Sequence, residues 1–305
     1  MQVPRGPVGI VSTNIAGLEE VASVLIREGV GIARAIGVAG GGQKDGVSVM
    51  LQGFRAVRAD PAAKVIVLVA ETMSEDAARR ILSQVRDSQK PTFVCFLGTD
   101  QRLAWRAGGI PAARLDEAAM RAAAWVRGWD QALVSSRLEE QADKLATFAK
   151  ELRGGIGPGR RLMKGFFTDP IFFREAQLVL FEVVGAESVC EGLHVVPDPT
   201  LMARHLRAGF DDLEAAVILS SVVLDRDMAQ VELLRELMQA EADAPLRGGQ
   251  DGPLVIAYLC SSDGDPQQLA EQEVRLHDVG IVVAASNAAA AQLAGNVING
   301  QAGRS

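Results

Sequence analysis

The stretch Gly9–Val21, GIVSTNIAGLEEV, reads as a short apolar strand, a polar loop and the start of an amphipathic helix. Val8–Val11 is mostly β-branched, which suits a strand. From Leu18 to Arg27 the apolar residues Leu18, Val21, Ala22, Val24 and Leu25 recur at helical spacing. A strand feeding a helix through a tight loop is the building unit of α/β sheets. The first turn of such a helix favours an anion, because its N–H groups lack helical partners and the dipole is positive there. The loop here is Ser12-Thr13-Asn14, with neither a GxGxxG nor a GxxxxGKS/T pattern. Its hydroxyls can donate to an anion; Ser, Thr and Asn also cap helices well, so a plain N-cap competes with that reading.

Outward from this stretch the first half alternates strands and helices. Strands are expected at Ile32–Val38, at Val65–Ala70 (VIVLVA) and at Pro91–Leu97 (PTFVCFL). VIVLVA is apolar without a break, the mark of a strand buried on both faces. Helices are expected at Met50–Val57, at Ser74–Val85 with Ser74 as N-cap, and at Asp116–Trp125. Ala39–Gly46, AGGGQKDG, reads as a loop. The alternation predicts a parallel sheet covered by helices on both faces. Gly128–Arg153 turns charged and helical, and GGIGPGRR breaks the chain at Gly154–Arg161.

The second half repeats this order. Arg161–Phe167 is a strand, Thr168-Asp169 a loop, and Pro170 stands where proline opens a helix that continues through REAQLVLFEVV. GLHVV is a strand closed by Pro197–Thr200, Glu214–Leu224 contains a buried strand, and AQVELLRELMQA is a helix. Pro253–Ser262 is a strand, LAEQEVRLHDVG a helix, and IVVA with NAAAAQLAGNVI completes the unit. The expected organisation is a first α/β module over 1–128, a helical linker over 129–157 and a second module over 158–305. In such sheets ligands sit at the carboxyl ends of the strands.

Composition narrows the function classes. The chain has 305 residues, 48% hydrophobic and 23% charged, which fits globular domains with sizeable cores. A net charge of −7 argues against nonspecific nucleic-acid binding. The cysteines Cys95, Cys190 and Cys260 are odd in number and lack CxxC spacing, which argues against a disulfide framework or a zinc site and fits a reducing cytoplasm. Cys95 and Cys260 fall on equivalent strands and read as core fillers. MQVPRGPVG has no apolar signal region, and no apolar run is long enough for a membrane helix.

Beside the first loop stand several further candidates. Gly40, Gly41 and Gly42 follow a strand and permit close backbone approach, while Lys44 can place a cation beside a phosphate or carboxylate; the alternative is a flexible turn. Glu71 ends a buried strand and points toward the crevice, as a proton acceptor or as a solvated loop residue. His194 lies near a strand end and either faces the site or is half-buried and satisfied; His205 and His277 read as solvated helix residues. Thr168-Asp169 places a carboxylate at the helix start, where it caps the helix and repels an anion. No Ser-His-Asp set and no metal-ligand spacing stands out, so no metal is expected.

Together RGPVGIVSTNIAGLEEV, AIGVAGGGQKDGVSVMLQGF and RADPAAKVIVLVAET resemble the ligase modules of the succinyl-CoA synthetase superfamily. The two-module order, with DPTL at Asp198–Leu201 and DGDPQQLAEQEVRLHDVGIVVAAS near the end, looks more like the FdrA branch. The resemblance covers nearly the whole chain. It implies two flavodoxin-like modules and a subunit of a carbamoyltransferase that uses carbamoyl phosphate on oxamate or a related ureido compound. The alternatives are a ligase-module subunit of a split acyl-CoA synthetase, or a non-catalytic scaffold of that fold. It further implies that Ser12, Thr13 and Asn14 donate to a phosphoryl or carboxylate group in a cleft between the halves, with Lys44 or an arginine on phosphate and Glu71 or His194 as proton acceptor. Two departures qualify it. The ligases phosphorylate a histidine after the fourth strand, whereas Thr99–Arg153 contains no histidine. The related chains carry a CoA-binding domain ahead of this region, whereas the first module here begins within ten residues of Met1. The expectation is a cytoplasmic oligomer with a small anionic substrate, binding no cofactor alone and taking CoA only through a partner subunit.

Overall fold

The computed structural model describes residues 4–37, 43–157, 159–185, 191–243, 252–261 and 266–302. These fall into two compact units, one reaching Leu138 and the other starting at Glu139. The first contains β1 (Arg5–Ser12), α1 (Ile15–Arg27), β2 (Ile32–Gly37), α2 (Gln43–Ala59), β3 (Val65–Ala70), α3 (Glu75–Arg86), β4 (Thr92–Phe96), α4 (Gln101–Arg106), β5 (Ile110–Pro111) and α5 (Leu115–Val126). The unit break falls within α6 (Gln131–Leu152). Then come β6 (Leu162–Phe167), α7 (Pro170–Val184), β7 (Leu193–Val195), α8 (Pro199–Asp211), β8 (Ala215–Val223), α9 (Leu224–Asp243), β9 (Leu254–Cys260), α10 (Pro266–Asp278), β10 (Val282–Ala284) and α11 (Asn287–Ala302).

Each unit has one five-stranded sheet, ordered β2-β1-β3-β4-β5 in the first and β10-β9-β8-β6-β7 in the second. Read from its other edge, the second sheet has the order of the first. Every pairing is parallel. This is the flavodoxin-like arrangement, whose switch point lies between the first and third strands. The fold class expected from the alternation of elements is therefore the one found.

Strand periodicity assigns each side chain to a layer. In β3, Ile66, Leu68 and Ala70 join Met50, Phe54 and Val57 of α2 and Ile81, Leu82 and Val85 of α3 in one core. In the second unit, Ile218 and Val222 of β8 and Val255, Ala257 and Leu259 of β9 pack with Met202, Leu206 and Phe210 of α8 and with Leu234 of α9. Cys95 and Cys260 are fully buried, as core fillers should be. Cys190 lies outside the described residues.

Local signals placed several boundaries. Ser74 caps α3, its hydroxyl accepting from the Ala77 N–H at 3.3 Å. Pro170 opens α7 behind the Asp169 cap. Three starts differ from expectation. α2 begins at Gln43 rather than Met50, taking Gly46 into a helix despite its poor propensity. A Cβ at Gly46 would stand 3.5 Å from Thr13 Cγ2, an ordinary contact distance, so packing does not require glycine in this turn. α10 begins at Pro266 rather than Leu269. α9 starts at Leu224 and kinks at Asp227 (φ −125°, ψ 26°), directly after β8. The short α4 and the two-residue β5 carry too little pattern to be anticipated.

Candidate functional site

At the carboxyl end of the first sheet lie four of the sequence candidates, Ser12, Thr13, Asn14 and Glu71. Thr13 N–H donates to the Val69 carbonyl at 3.1 Å, which ties the loop after β1 to β3 immediately ahead of Glu71. Ser12 is buried; its hydroxyl donates to the Asn14 carbonyl at 2.6 Å and accepts from the Asn14 N–H at 3.1 Å. Asn14 is the N-cap of α1, its Oδ1 accepting from the Gly17 N–H at 3.0 Å. Ser12 therefore shapes the turn and Asn14 caps the helix. The half-buried Thr13 hydroxyl has no hydrogen-bond partner among the described residues. Glu71 is half-buried beside this loop. Gly40, Gly41 and Gly42 lie outside the described residues, and Lys44 is described only by its backbone in the first turn of α2.

His194 occupies a different setting. It sits on β7 opposite Phe166 of β6, and the two rings stack with centroids 6.3 Å apart. His205 of α8 is 5.9 Å from the His194 ring and meets Phe166 edge-on at 6.0 Å. Its Nδ1 lies 2.8 Å from the Leu201 carbonyl, so His205 is half-buried rather than the solvated residue expected from its helix position. Lys164 of β6 pairs with Asp212 at 3.1 Å beside this cluster. His194 is itself exposed rather than half-buried; partial desolvation lowers its pKa, and repulsion from His205 and Lys164 lowers it further.

The sign of the resulting pH effect follows. The folded state disfavours the His194 proton that the unfolded chain accepts near pH 6.5, so stability falls as pH drops through that value toward the lower folded pKa. His194→Gln should flatten this acid limb, read as the urea midpoint against pH. A limb of unchanged slope would assign it to other groups.

The carboxyl end of the second sheet holds a feature the sequence reading missed. A cavity of about 360 Å³ opens where Thr168 follows β6, Val196 and Pro197 follow β7, and the first turns of α9 pass above. Gln230 lines it and is 6% exposed. Its Nε2 donates to Ser220 Oγ at 2.7 Å, and Ser220 in turn donates to the Phe166 carbonyl at 3.2 Å. Because the Ser220 proton is committed to that carbonyl, Ser220 can only accept from Gln230, which fixes the amide orientation. Gln230 Oε1 is left buried without a partner among the described residues, as is Thr168 Oγ1. Asp169 and Asp198 cap α7 and α8, accepting from Ile171 and Leu201 N–H groups at 3.0 and 2.8 Å, so both are occupied as helix caps.

A signal for Thr168 was present in the sequence. Thr13, Asn14 and Glu20 recur at one constant spacing as Thr168, Asp169 and Glu175. In each half a threonine precedes the cap and a buried glutamate stands six residues after it. Gln230 gave no such signal, because it reads as an ordinary helix-surface residue.

Among the described residues no group of three or more His, Cys, Asp or Glu comes together as metal ligands, and no helix is long and apolar enough to cross a membrane. No family model matches the chain. It is 26% identical over 328 residues to the uncharacterized protein YahF of Escherichia coli (strain K12), an alignment covering 93% of this chain and 61% of that protein. The chain thus spans about three-fifths of the length of that relative. Among solved structures, the C-terminal domain of glucosamine-fructose-6-phosphate aminotransferase from Francisella tularensis aligns at 12% identity and TM-score 0.38, over 97% of this chain and 85% of that one. ATP citrate lyase from Methanosaeta concilii, in complex with (3S)-citryl-CoA, aligns at 9% identity and TM-score 0.31, over 98% of this chain and 50% of that one. The chain is a pair of flavodoxin-like α/β modules with distant sequence similarity to YahF.

Proposed function

We propose that this chain is the ligase-module part of an acyl-CoA-synthetase-type enzyme of the succinyl-CoA synthetase kind, handling a small phosphorylated or carboxylate group at the switch point of its first sheet. The observation that carries this reading is the repeated threonine-and-cap turn at equivalent strand ends, Thr13-Asn14 and Thr168-Asp169. In the first unit the cap is a neutral asparagine, which leaves the positive end of α1 available to an anion. In the second the cap is an aspartate, which opposes one. Thr13 would donate its hydroxyl, Ser12 would hold the turn, and Asn14 would fix the first turn of α1. Gly40, Gly41 and Gly42 would admit close approach, and Lys44 would supply positive charge. CoA and nucleotide would bind domains outside residues 1–305, in company with other subunits.

A second reading, carbamoyl transfer, is favoured by one specific observation: Thr99–Arg153 contains no histidine for a phosphohistidine relay. Carbamoyl transfer needs no such residue. The amide nitrogen of an acceptor such as oxamate would attack the carbamoyl carbon, the carbon–oxygen bond to phosphate would break, and Glu71 or His194 would take the proton from that nitrogen. Donors at the α1 terminus would stabilise the charge that develops.

Calorimetric titration with inorganic phosphate tests the site shared by both readings. Thr13→Val, which removes a hydroxyl with no partner among the described residues, should weaken phosphate by about tenfold, and Ser12→Ala/Thr13→Ala by more. Unchanged affinity in both variants rejects the site. Phosphate release from carbamoyl phosphate on addition of oxamate would select the second reading. CoA-dependent acyl transfer in the presence of the partner subunits would select the first.

A further inference from the structure

The cavity at the carboxyl end of the second sheet is independent of the anion site proposed for the first unit, and its polarity is opposite. Its buried polar atoms include Gln230 Oε1 and Thr168 Oγ1, both without a hydrogen-bond partner among the described residues. Gln230 Oε1 is an acceptor by construction, because Ser220 holds the other end of the amide. A buried acceptor left unsatisfied is costly, so the site suits a ligand that brings an N–H or O–H donor. The charged groups lining it are Asp227, Glu232 and Glu236, all carboxylates, and no lysine, arginine or histidine is among the described lining residues. Glu232 is balanced by Arg235 at 3.0 Å and Arg275 at 3.9 Å. Asp227 and Glu236 have no ion-pair partner among the described residues. The remaining wall is apolar: Val196, Met202 and Leu233 face the same space. A volume of about 360 Å³ lies within the usual range for small-molecule sites.

We propose that this cavity binds a small aliphatic primary amine as its ammonium ion. The ammonium group donates to Gln230 Oε1 and Thr168 Oγ1, the field of Asp227 and Glu236 favours its positive charge, and the short alkyl body lies on Val196, Met202 and Leu233. A carboxylate of the same length meets the negative charge of Asp227 and Glu236 and an amide acceptor that offers it no hydrogen, so it binds more weakly. Selectivity for cations over anions of equal size is the signature of the site.

The test is a methyl NMR titration of the full chain with n-butylamine, butanamide and butyrate, three probes of matched length. Met202, 1% exposed, supplies the reporter methyl. Butylammonium is expected to shift the Met202 methyl saturably and to bind about tenfold tighter than butyrate. Gln230→Met should weaken butylammonium several-fold. Thr168→Val should weaken it less while leaving the Ser220–Gln230 bond intact, and so guards against a folding defect in the first variant. Butyrate or butanamide binding as tightly as butylammonium would overturn the proposal. So would a Met202 methyl that does not respond to tens of millimolar butylammonium, or two variants that bind as the parent does.

Discussion

Asn287→Leu should destabilise the second unit by about 3–5 kcal/mol, among the largest single-residue effects expected in this chain. Asn287 is 1% exposed at the start of α11. Its Nδ2 donates to the Phe172 carbonyl at 3.0 Å and to Glu175 Oε2 at 2.7 Å, and its Oδ1 accepts from the Ser221 hydroxyl at 2.6 Å. Glu175 and Ser221 are also buried, at 1% and 0% exposure. One side chain thus satisfies polar groups from α7 and β8 in a dry layer, and leucine offers none of them a partner. The cost comes from groups left behind more than from bonds lost, and that distinction is measurable. Adding Glu175→Met to Asn287→Leu should recover part of the loss, because removing both members of a buried polar pair is cheaper than removing one. Urea denaturation of the two single variants and the double variant closes the cycle. Strict additivity would show that the 2.7 Å bond couples nothing.

Phe54→Ala should cost the first unit a comparable amount, about 3–5 kcal/mol, through the cavity it leaves. Phe54 is fully buried between α2 and the sheet. The surroundings are poorly able to collapse into the space. A Cβ on Gly53 would stand 2.7 Å from Val11 Cγ1, and one on Gly9 would strike Val57, so α2 already lies close against β1. A site that cannot relax belongs at the upper end of the range for its chemistry. The expected signature is a lowered urea midpoint with unchanged slope, together with faster amide exchange in β1 and β3. Phe54→Leu should recover a substantial part of the loss. A midpoint shift equivalent to less than about 1 kcal/mol would mean that this core repacks freely.

Some elements were legible because their cause is local. VIVLVA is a buried strand, since an unbroken apolar run has no wet face. Ser74 and Pro170 marked helix starts, because capping and a fixed φ act within one turn. Gly46 misled, because low helix propensity is only a weak local preference. His205 misled for a similar reason. Its place on a helix pattern says nothing of Phe166 and His194, which approach it from other elements.

The candidate site divides along the same line. The placement of Ser12, Thr13, Asn14 and Glu71 was legible because strand-loop-helix order alone puts loop residues at the carboxyl end of a sheet. Which hydroxyl is committed and which remains open was decided only by tertiary geometry: Ser12 closes on Asn14, whereas Thr13 has no such partner among the described residues. Gln230 was invisible to periodicity, because its value lies in a buried amide oriented by Ser220 of another element. By itself the sequence determined two parallel α/β modules, their strand cores and the ends at which loops gather, because hydrophobic period and capping are set by neighbours along the chain. Only the tertiary structure decided which polar atoms are buried, paired or left open. Hydrogen bonds such as Asn287 to Glu175 join residues far apart in sequence, and no local pattern encodes them.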